Sequence, residues 1–375
     1  MRDLFLLDPA VVFLNHGSFG ACPASVFEVY QQWQRELERQ PVAFLGRRAD
    51  ALLDTARARL AAYLNAAPEN LVFVVNATVA LNMVARSLPL RAGDEILSTD
   101  HEYGAVDKTW QFVCQKTGAR LVSRAMPLPV TSHAAFADAL WEAVTPRTRV
   151  ISISQITSPT ALIFPVAEIC RRARQAGILT VIDGAHAPGQ VPLDLRALGA
   201  DFYAGNCHKW LCAPKGAGFL YARAEQHALV EPLIVSHGWQ AEGTFVSRNQ
   251  WQGTRDLAAF LSVPAAIDFQ QQHGWDAVRA RCHQMARDLR TRLAALTGLE
   301  PVAPDNGEWF AQMFAAPLPC CDLAALGASL YARYRVEVPL IARPEGAYVR
   351  VSLQGYNTQA DADALVQALS ELLVH

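Results

Sequence analysis

A chain of 375 residues is longer than one small core usually organises, so a large domain with a smaller companion is expected. Half of it (51%) is apolar and 18% is charged, the balance of a packed globular protein, and no apolar run is long enough to cross a bilayer, which argues against a membrane protein. A formal charge of -2 without a basic block argues against electrostatic tracking of nucleic acid and leaves a small molecule as the expected partner.

Met1 to Leu14 shows no long apolar core followed by a small-residue cleavage site, so no secretory signal is read there and the cytoplasm is the expected compartment. Eight cysteines, at 22, 114, 170, 207, 212, 282, 320 and 321, lack paired zinc spacing. A reducing compartment would keep them as thiols, so neither a metal site nor a disulfide framework is expected. Ser25 to Arg39 and Gly46 to Asn65 carry apolar stripes at helical spacing.

From Leu71 the pattern alternates. Short β-branched runs at Leu71 to Val75, Glu95 to Ser98, Arg149 to Ser152, Leu179 to Ile182 and Phe202 to Gly205 are interleaved with helical stretches at Val79 to Ser87, Ala105 to Lys116 and Val166 to Gln175. Such alternation predicts an α/β domain with a mainly parallel sheet covered on both faces. Beyond about residue 256 long amphipathic helices follow, Leu257 to Gln272 and Trp275 to Leu296, then shorter elements such as Asp322 to Tyr334 and Gln359 to Leu373. The expected division is a large domain over 16–256 and a small α+β domain from 1–15 with 257–375.

Open α/β sheets place their ligand crevice at the carboxyl ends of the strands, where this chain carries Asn76, His101, Gln155 to Ser158 and Asp183. Asp183 ends a buried strand before Gly184, and Lys209 follows the next strand beside His208 and an apolar stretch. Burial disfavours the ammonium form and makes such an amine a better partner for an aldehyde. An acid and a lysine at neighbouring strand ends are what a pyridine cofactor needs, because the carboxylate keeps the ring nitrogen protonated and the ring electron-accepting.

These residues lead to a recognisable family. Asp-Gly-Ala-His at 183 to 186, His-Lys at 208 and 209 and Pro-Lys-Gly-Ala-Gly at 214 to 218 resemble class V aminotransferase-fold enzymes of fold type I, within them the isopenicillin N epimerase-like branch, with cysteine desulfurases more distant. The likeness extends to Asn15-His-Gly-Ser-Phe-Gly20, Trp251-Gln-Gly-Thr-Arg-Asp256, Arg350-Val-Ser352 and Tyr356-Asn-Thr358.

The resemblance implies pyridoxal 5'-phosphate as cofactor, bound through a Schiff base to Lys209, with Asp183 on the pyridinium and His101 stacked on the ring. It implies phosphate contacts from Asn76, Ala77, Thr78, Asn206 and His208, a contact of Ser158 and Gln155 with the phenolic oxygen, and His186 beside the ring. Gly253 and Thr254 match a segment that reaches a neighbouring subunit's phosphate, implying a homodimer with a shared site. Arg350 matches the receptor for the substrate carboxylate, a task suited to a planar guanidinium. Asn15, His16, Arg47 and Arg48 are further candidates for substrate contacts, and Tyr103 is a candidate second acid or base.

Cys320 and Cys321 invite comparison with the sulfur acceptor of desulfurases, but Pro317-Leu-Pro-Cys-Cys-Asp322 runs straight into a helical pattern and reads as a turn. The expected activity is that of an epimerase or racemase on an amino acid. A carbon-sulfur lyase, a desulfurase and an aminotransferase are the alternatives, since all begin by acidifying the same α-proton.

Overall fold

The computed structural model describes residues 1–373. The chain opens with a short strand, Val12–Phe13 (β1), and a helical turn, His16–Phe19, before two helices, Ala24–Arg39 (α1) and Ala49–Tyr63 (α2). Strands and helices then alternate: Leu71–Val74 (β2), Ala77–Ser87 (α3), Glu95–Thr99 (β3), Gly104–Thr117 (α4), Arg120–Arg124 (β4), His133–Trp141 (α5) and Thr148–Ser154 (β5). Val166–Gln175 (α6), Leu179–Gly184 (β6), Phe202–Asn206 (β7) and Gly218–Ala222 (β8) complete this part. The last third holds Val263–Gln272 (α7), Trp275–Thr297 (α8), Met313–Leu318 (β9), Leu323–Tyr334 (α9), Val336–Glu337 (β10), Leu340–Arg343 (β11), Gly346–Ser352 (β12) and Gln359–Leu372 (α10).

Seven strands form one sheet in the order β2-β8-β7-β6-β5-β3-β4, with β8 antiparallel to both its neighbours and the other pairings parallel. Alternate residues of each strand feed two separate cores, as the period-two geometry of a strand requires. Leu71, Phe73, Ile151, Ile153 and Ile182 join the core under α1, α2 and the last third. Val72, Val74, Ile96, Val150 and Val181 join the core under α3 and α4. Both faces being covered explains why these strands read as nearly continuous apolar runs.

Three elements differ from the sequence reading. β4 has a mixed exposed pattern; as the edge strand it is capped by Arg120 and Arg124, so it lacks the apolar run that marks its neighbours. The stretch expected as one helix over 257–272 divides at Ser262, because Pro264 lies in the first turn of α7 and has no N–H to continue the preceding helix. The helix expected from Gly46 begins at Ala49, after a wide π turn over Phe44–Arg48.

A smaller antiparallel sheet, β11-β12-β9, packs against α8, and β1 pairs with β10 through Val12 and Val336, so the start of the chain is tied to its last third. The His16–Phe19 turn follows directly, and its Gly17, Ser18 and Phe19 line one cleft with Ser154, Asp183 and Asn206 from the ends of β5, β6 and β7. Among the described residues no helix is long and apolar enough to cross a membrane.

Candidate active site

Asp183 stands at the end of β6, opposite Ser154 on β5 and Ala204 on β7. The following residue must be glycine, since a Cβ at Gly184 would lie 2.0 Å from the Tyr203 ring. That close approach lets the chain turn and brings the Ala185 N–H to Asp183 Oδ1 at 2.9 Å. Burial pushes the Asp183 carboxyl above the usual carboxylate range, while the Ala185 amide and the charge of Lys209 pull it back.

Lys209 follows β7, and burial lowers its amine to about 8 from 10.5, with Asp183 opposing. Its Nζ lies 3.2 Å from His186 Nε2, and His186 Nδ1 accepts from the Trp210 indole at 3.3 Å. The lysine carbonyl is held as well. His16 Nε2 lies 3.0 Å from it and His16 Nδ1 lies 3.0 Å from the Tyr356 hydroxyl. Since a carbonyl only accepts, Nε2 carries the hydrogen and Nδ1 accepts from Tyr356. Gly20, in the left-handed region at φ +72, lets the chain pass against the His208 carbonyl, which a Cβ would approach to 2.1 Å.

Arg350 projects from β12 into the same cleft. Its Nη1 donates to the Ser158 carbonyl at 2.7 Å and the Ser158 hydroxyl at 3.0 Å, and its Nη2 donates to the Ser18 hydroxyl at 2.9 Å. Ser18 in turn donates to Asn15 Oδ1 at 2.5 Å. Arg350 Nε is buried without a partner. At the other end Asn76 caps α3 by accepting from the Val79 amide at 2.9 Å, and the Ala77 amide donates to Asn206 Oδ1 at 2.8 Å. His208 Nδ1 donates to the Ala217 carbonyl at 2.9 Å, and burial lowers this imidazole to about 4. Asn76, Ala77, Thr78, Asn206 and His208 line one end of a cleft of about 300 Å³, which Asp183, His186, Lys209, Ser158 and Arg350 continue. Its size is at the low end of small-molecule sites, roughly 300–1,000 Å³.

Residues 21–365 match the family described as aminotransferase class-V. The chain belongs to this family. Among relatives, it is 42% identical over 390 residues to the isopenicillin N epimerase of Amycolatopsis lactamdurans, covering 99% of this chain and 97% of that protein. It is 30% identical over 401 residues to a probable chloroplastic L-cysteine desulfhydrase of Arabidopsis thaliana, covering 98% of this chain and 84% of that protein. In structure it is similar to the cysteine desulfurase CsdA of Escherichia coli, with a TM-score of 0.80, 25% identity and coverage of 100% and 98% of the two chains.

As a class V aminotransferase-family enzyme the chain uses pyridoxal 5'-phosphate. The residues present fit that group: a buried amine of lowered basicity, a buried acid on the neighbouring strand, a helix start carrying a polar cap, and a guanidinium whose Nε–H and second Nη2–H are left over.

Other expectations are corrected. His101 is turned away from the cleft: its Nδ1 meets the Thr160 hydroxyl at 2.8 Å and its Nε2 the Met126 carbonyl at 3.0 Å. The side chain is wholly buried and is not among the residues lining the cleft; Tyr103, two residues on, lines it instead. His16 is wholly buried behind Lys209 and is no substrate contact. Asn15 acts on Arg350 only through Ser18, its amide being turned to Glu337 at 3.3 Å. Gln155 spends its side-chain carbonyl on the Tyr203 hydroxyl at 2.6 Å. Arg47 is exposed and Arg48 pairs with Glu36, both away from the cleft. Gly253 and Thr254 are not among the residues lining this chain's own cleft.

Sequence reasoning passed over Ser154 and Phe19. Ser154 and Phe19 line the cleft; the strand-end position of Ser154 was a usable signal.

Proposed function

We propose that this class V aminotransferase-family enzyme moves a proton at the α-carbon of an amino acid, and that its reaction is an epimerisation or racemisation. The carrying observation is that two proton-bearing side chains, Lys209 and Tyr103, line one cleft together with Arg350. Inversion takes a proton from one face and returns one to the other, work for two groups. Similarity over 99% of the chain to an isopenicillin N epimerase supports the reading.

When bound, the cofactor supplies an electron sink for negative charge developing at the α-carbon. Lys209 would hold it and, as free amine, take the α-proton at Nζ; Tyr103 would return one from its hydroxyl. Asp183 would keep the ring nitrogen protonated and His186 would lie beside the ring. Arg350 would bind the substrate carboxylate through parallel N–H groups. The start of α3, with Thr78, Asn206 and His208, would seat the phosphate, and Gly253 with Thr254 of a second copy would complete it in a homodimer. The eight unpaired cysteines support a reducing, cytoplasmic setting.

A second reading is β-elimination from a cysteine derivative, favoured by the likeness to a desulfhydrase. It needs no thiol, whereas persulfide transfer does, and no cysteine is among the residues lining the cleft. Cys320 is exposed and Cys321 is half-buried, with burial and the nearby Asp322 pushing the Cys321 thiol up.

The deciding experiment incubates the cofactor-loaded enzyme with single amino acids in heavy water. Washing-in of deuterium with inversion and no released product supports epimerisation. Pyruvate and sulfide would establish the lyase, and a stoichiometric keto acid would establish transamination.

A further inference from the structure

Arg350 is 5% exposed and its side-chain partners are neutral: Nη1 donates to the Ser158 carbonyl and hydroxyl, and Nη2 donates to Ser18 Oγ at 2.9 Å. A buried cation held only by neutral groups keeps its charge for an anion that enters the cleft. A carboxylate does stand behind it, with two side chains between. Glu337 Oε1 accepts, so the Asn15 group 3.3 Å away is the amide Nδ2, which turns Asn15 Oδ1 towards Ser18. Oδ1 takes the Ser18 hydroxyl hydrogen at 2.5 Å and leaves a lone pair of Ser18 Oγ for the guanidinium.

The backbone fixes both ends of this relay. Phe13 pairs with Glu337 between β1 and β10, and the Leu14 amide donates to the Glu337 carbonyl at 3.0 Å. The Leu14 carbonyl accepts at 2.9 Å from the amide of Ser352, two residues beyond Arg350 on β12.

We propose that Ser18 is a positioning residue for Arg350, its hydroxyl oriented by Asn15 and Glu337, and that it sharpens the preference of the cleft for ligands carrying an α-carboxylate. A long side chain that is already held loses less freedom when a ligand arrives. With Nη1 on Ser158 and one Nη2–H on Ser18, the Nε–H and the second Nη2–H remain for the carboxylate. An acid in place of Ser18 would hold the arginine as firmly but cancel its charge. A relay of the opposite sense would turn the hydroxyl hydrogen against the guanidinium and repel it.

The inference rests on Arg350 receiving the substrate carboxylate, and the two are tested apart. L-Alanine, and ethylamine as the same molecule without its carboxylate, are titrated into the cofactor-loaded enzyme, with binding read from the visible spectrum. Arg350→Gln should weaken alanine about a hundredfold and leave ethylamine within about twofold. Unchanged alanine binding in that variant overturns the role given to Arg350. Ser18→Ala should weaken alanine about tenfold, leave ethylamine within about twofold, and have no further effect once Arg350 is glutamine. Asn15→Ala, which keeps the Ser18 hydroxyl but frees its hydrogen, should weaken alanine about threefold and be silent in the Ser18→Ala background. Equal weakening of both ligands by Ser18→Ala, undiminished alanine binding, or an effect that persists in Arg350→Gln overturns the inference.

Discussion

His186 Nε2 lies 3.2 Å from Lys209 Nζ, and in that contact the lysine is the acceptor. The Trp210 indole can only donate and points at His186 Nδ1 from 3.3 Å. Burial holds this imidazole well below its ordinary range, so it is neutral and its one hydrogen is on Nε2. An amine facing an N–H is satisfied as the free base. Uptake of pyridoxal phosphate by the apoprotein is therefore expected to quicken with pH around 8, well below the ordinary 10.5. Trp210→Phe frees His186 to present a lone pair to the lysine and should raise that midpoint by about one pH unit. Stopped-flow uptake across a pH series measures it, and an unmoved midpoint would contradict the tautomer.

The same amine weighs on stability. The folded apoprotein releases the Lys209 proton near 8, whereas the unfolded chain holds it to about 10.5. Between these values the unfolded chain binds more protons, so stability rises with pH across the window. Below it the whole difference is felt, on the order of 3 kcal/mol. Lys209→Met should accordingly be more stable than wild-type apoprotein at neutral pH, with the gap closing towards pH 10.5. Urea titrations at several pH values supply the test; a methionine variant that is less stable throughout refutes it.

His208 makes a different prediction. Its Nδ1–H is spent on the Ala217 carbonyl, and burial keeps the ring neutral down to about 4. At neutral pH its Nε2 is a bare lone pair, which repels a phosphate oxygen. A phosphate seated against it must bring a proton to that nitrogen. Binding of a phosphate monoester, which as the dianion has no O–H of its own, should at about pH 8 take up close to one proton and weaken as pH rises further. Calorimetry in buffers of different ionisation enthalpy reads the uptake, and His208→Gln should remove it. Equal uptake in the variant would exclude this nitrogen.

What could be read beforehand follows from where the information lies. Asp183 and Lys209 were legible because each sits at the end of an apolar strand, and a polar group there faces the crevice by the geometry of an open sheet. The two-faced sheet was legible because both faces of β5 and β6 are buried. His101 misled for the same reason that found Asp183: it also ends a strand, but the turn after β3 rotates it onto Thr160 and Met126 and presents Tyr103. A single sequence does not encode that rotation locally. His16 lies 193 positions from Lys209 along the chain, so its contact with the lysine carbonyl becomes visible only in the folded chain.

Tyr103 carries the proposal for the reaction and invites the sharpest test of it. If Lys209 and Tyr103 each serve one enantiomer, Tyr103→Phe removes one proton donor and leaves the other. Exchange of the α-hydrogen with heavy water should then survive for the enantiomer whose proton Lys209 takes. Inversion should fall by about 10² to 10⁴. Lys209→Ala should abolish both. Nuclear magnetic resonance of the α-proton alongside chiral chromatography separates exchange from inversion in one sample. If the lysine alone shuttled the proton, exchange and inversion would fall together in Tyr103→Phe or not at all, and the two-group reading would be lost.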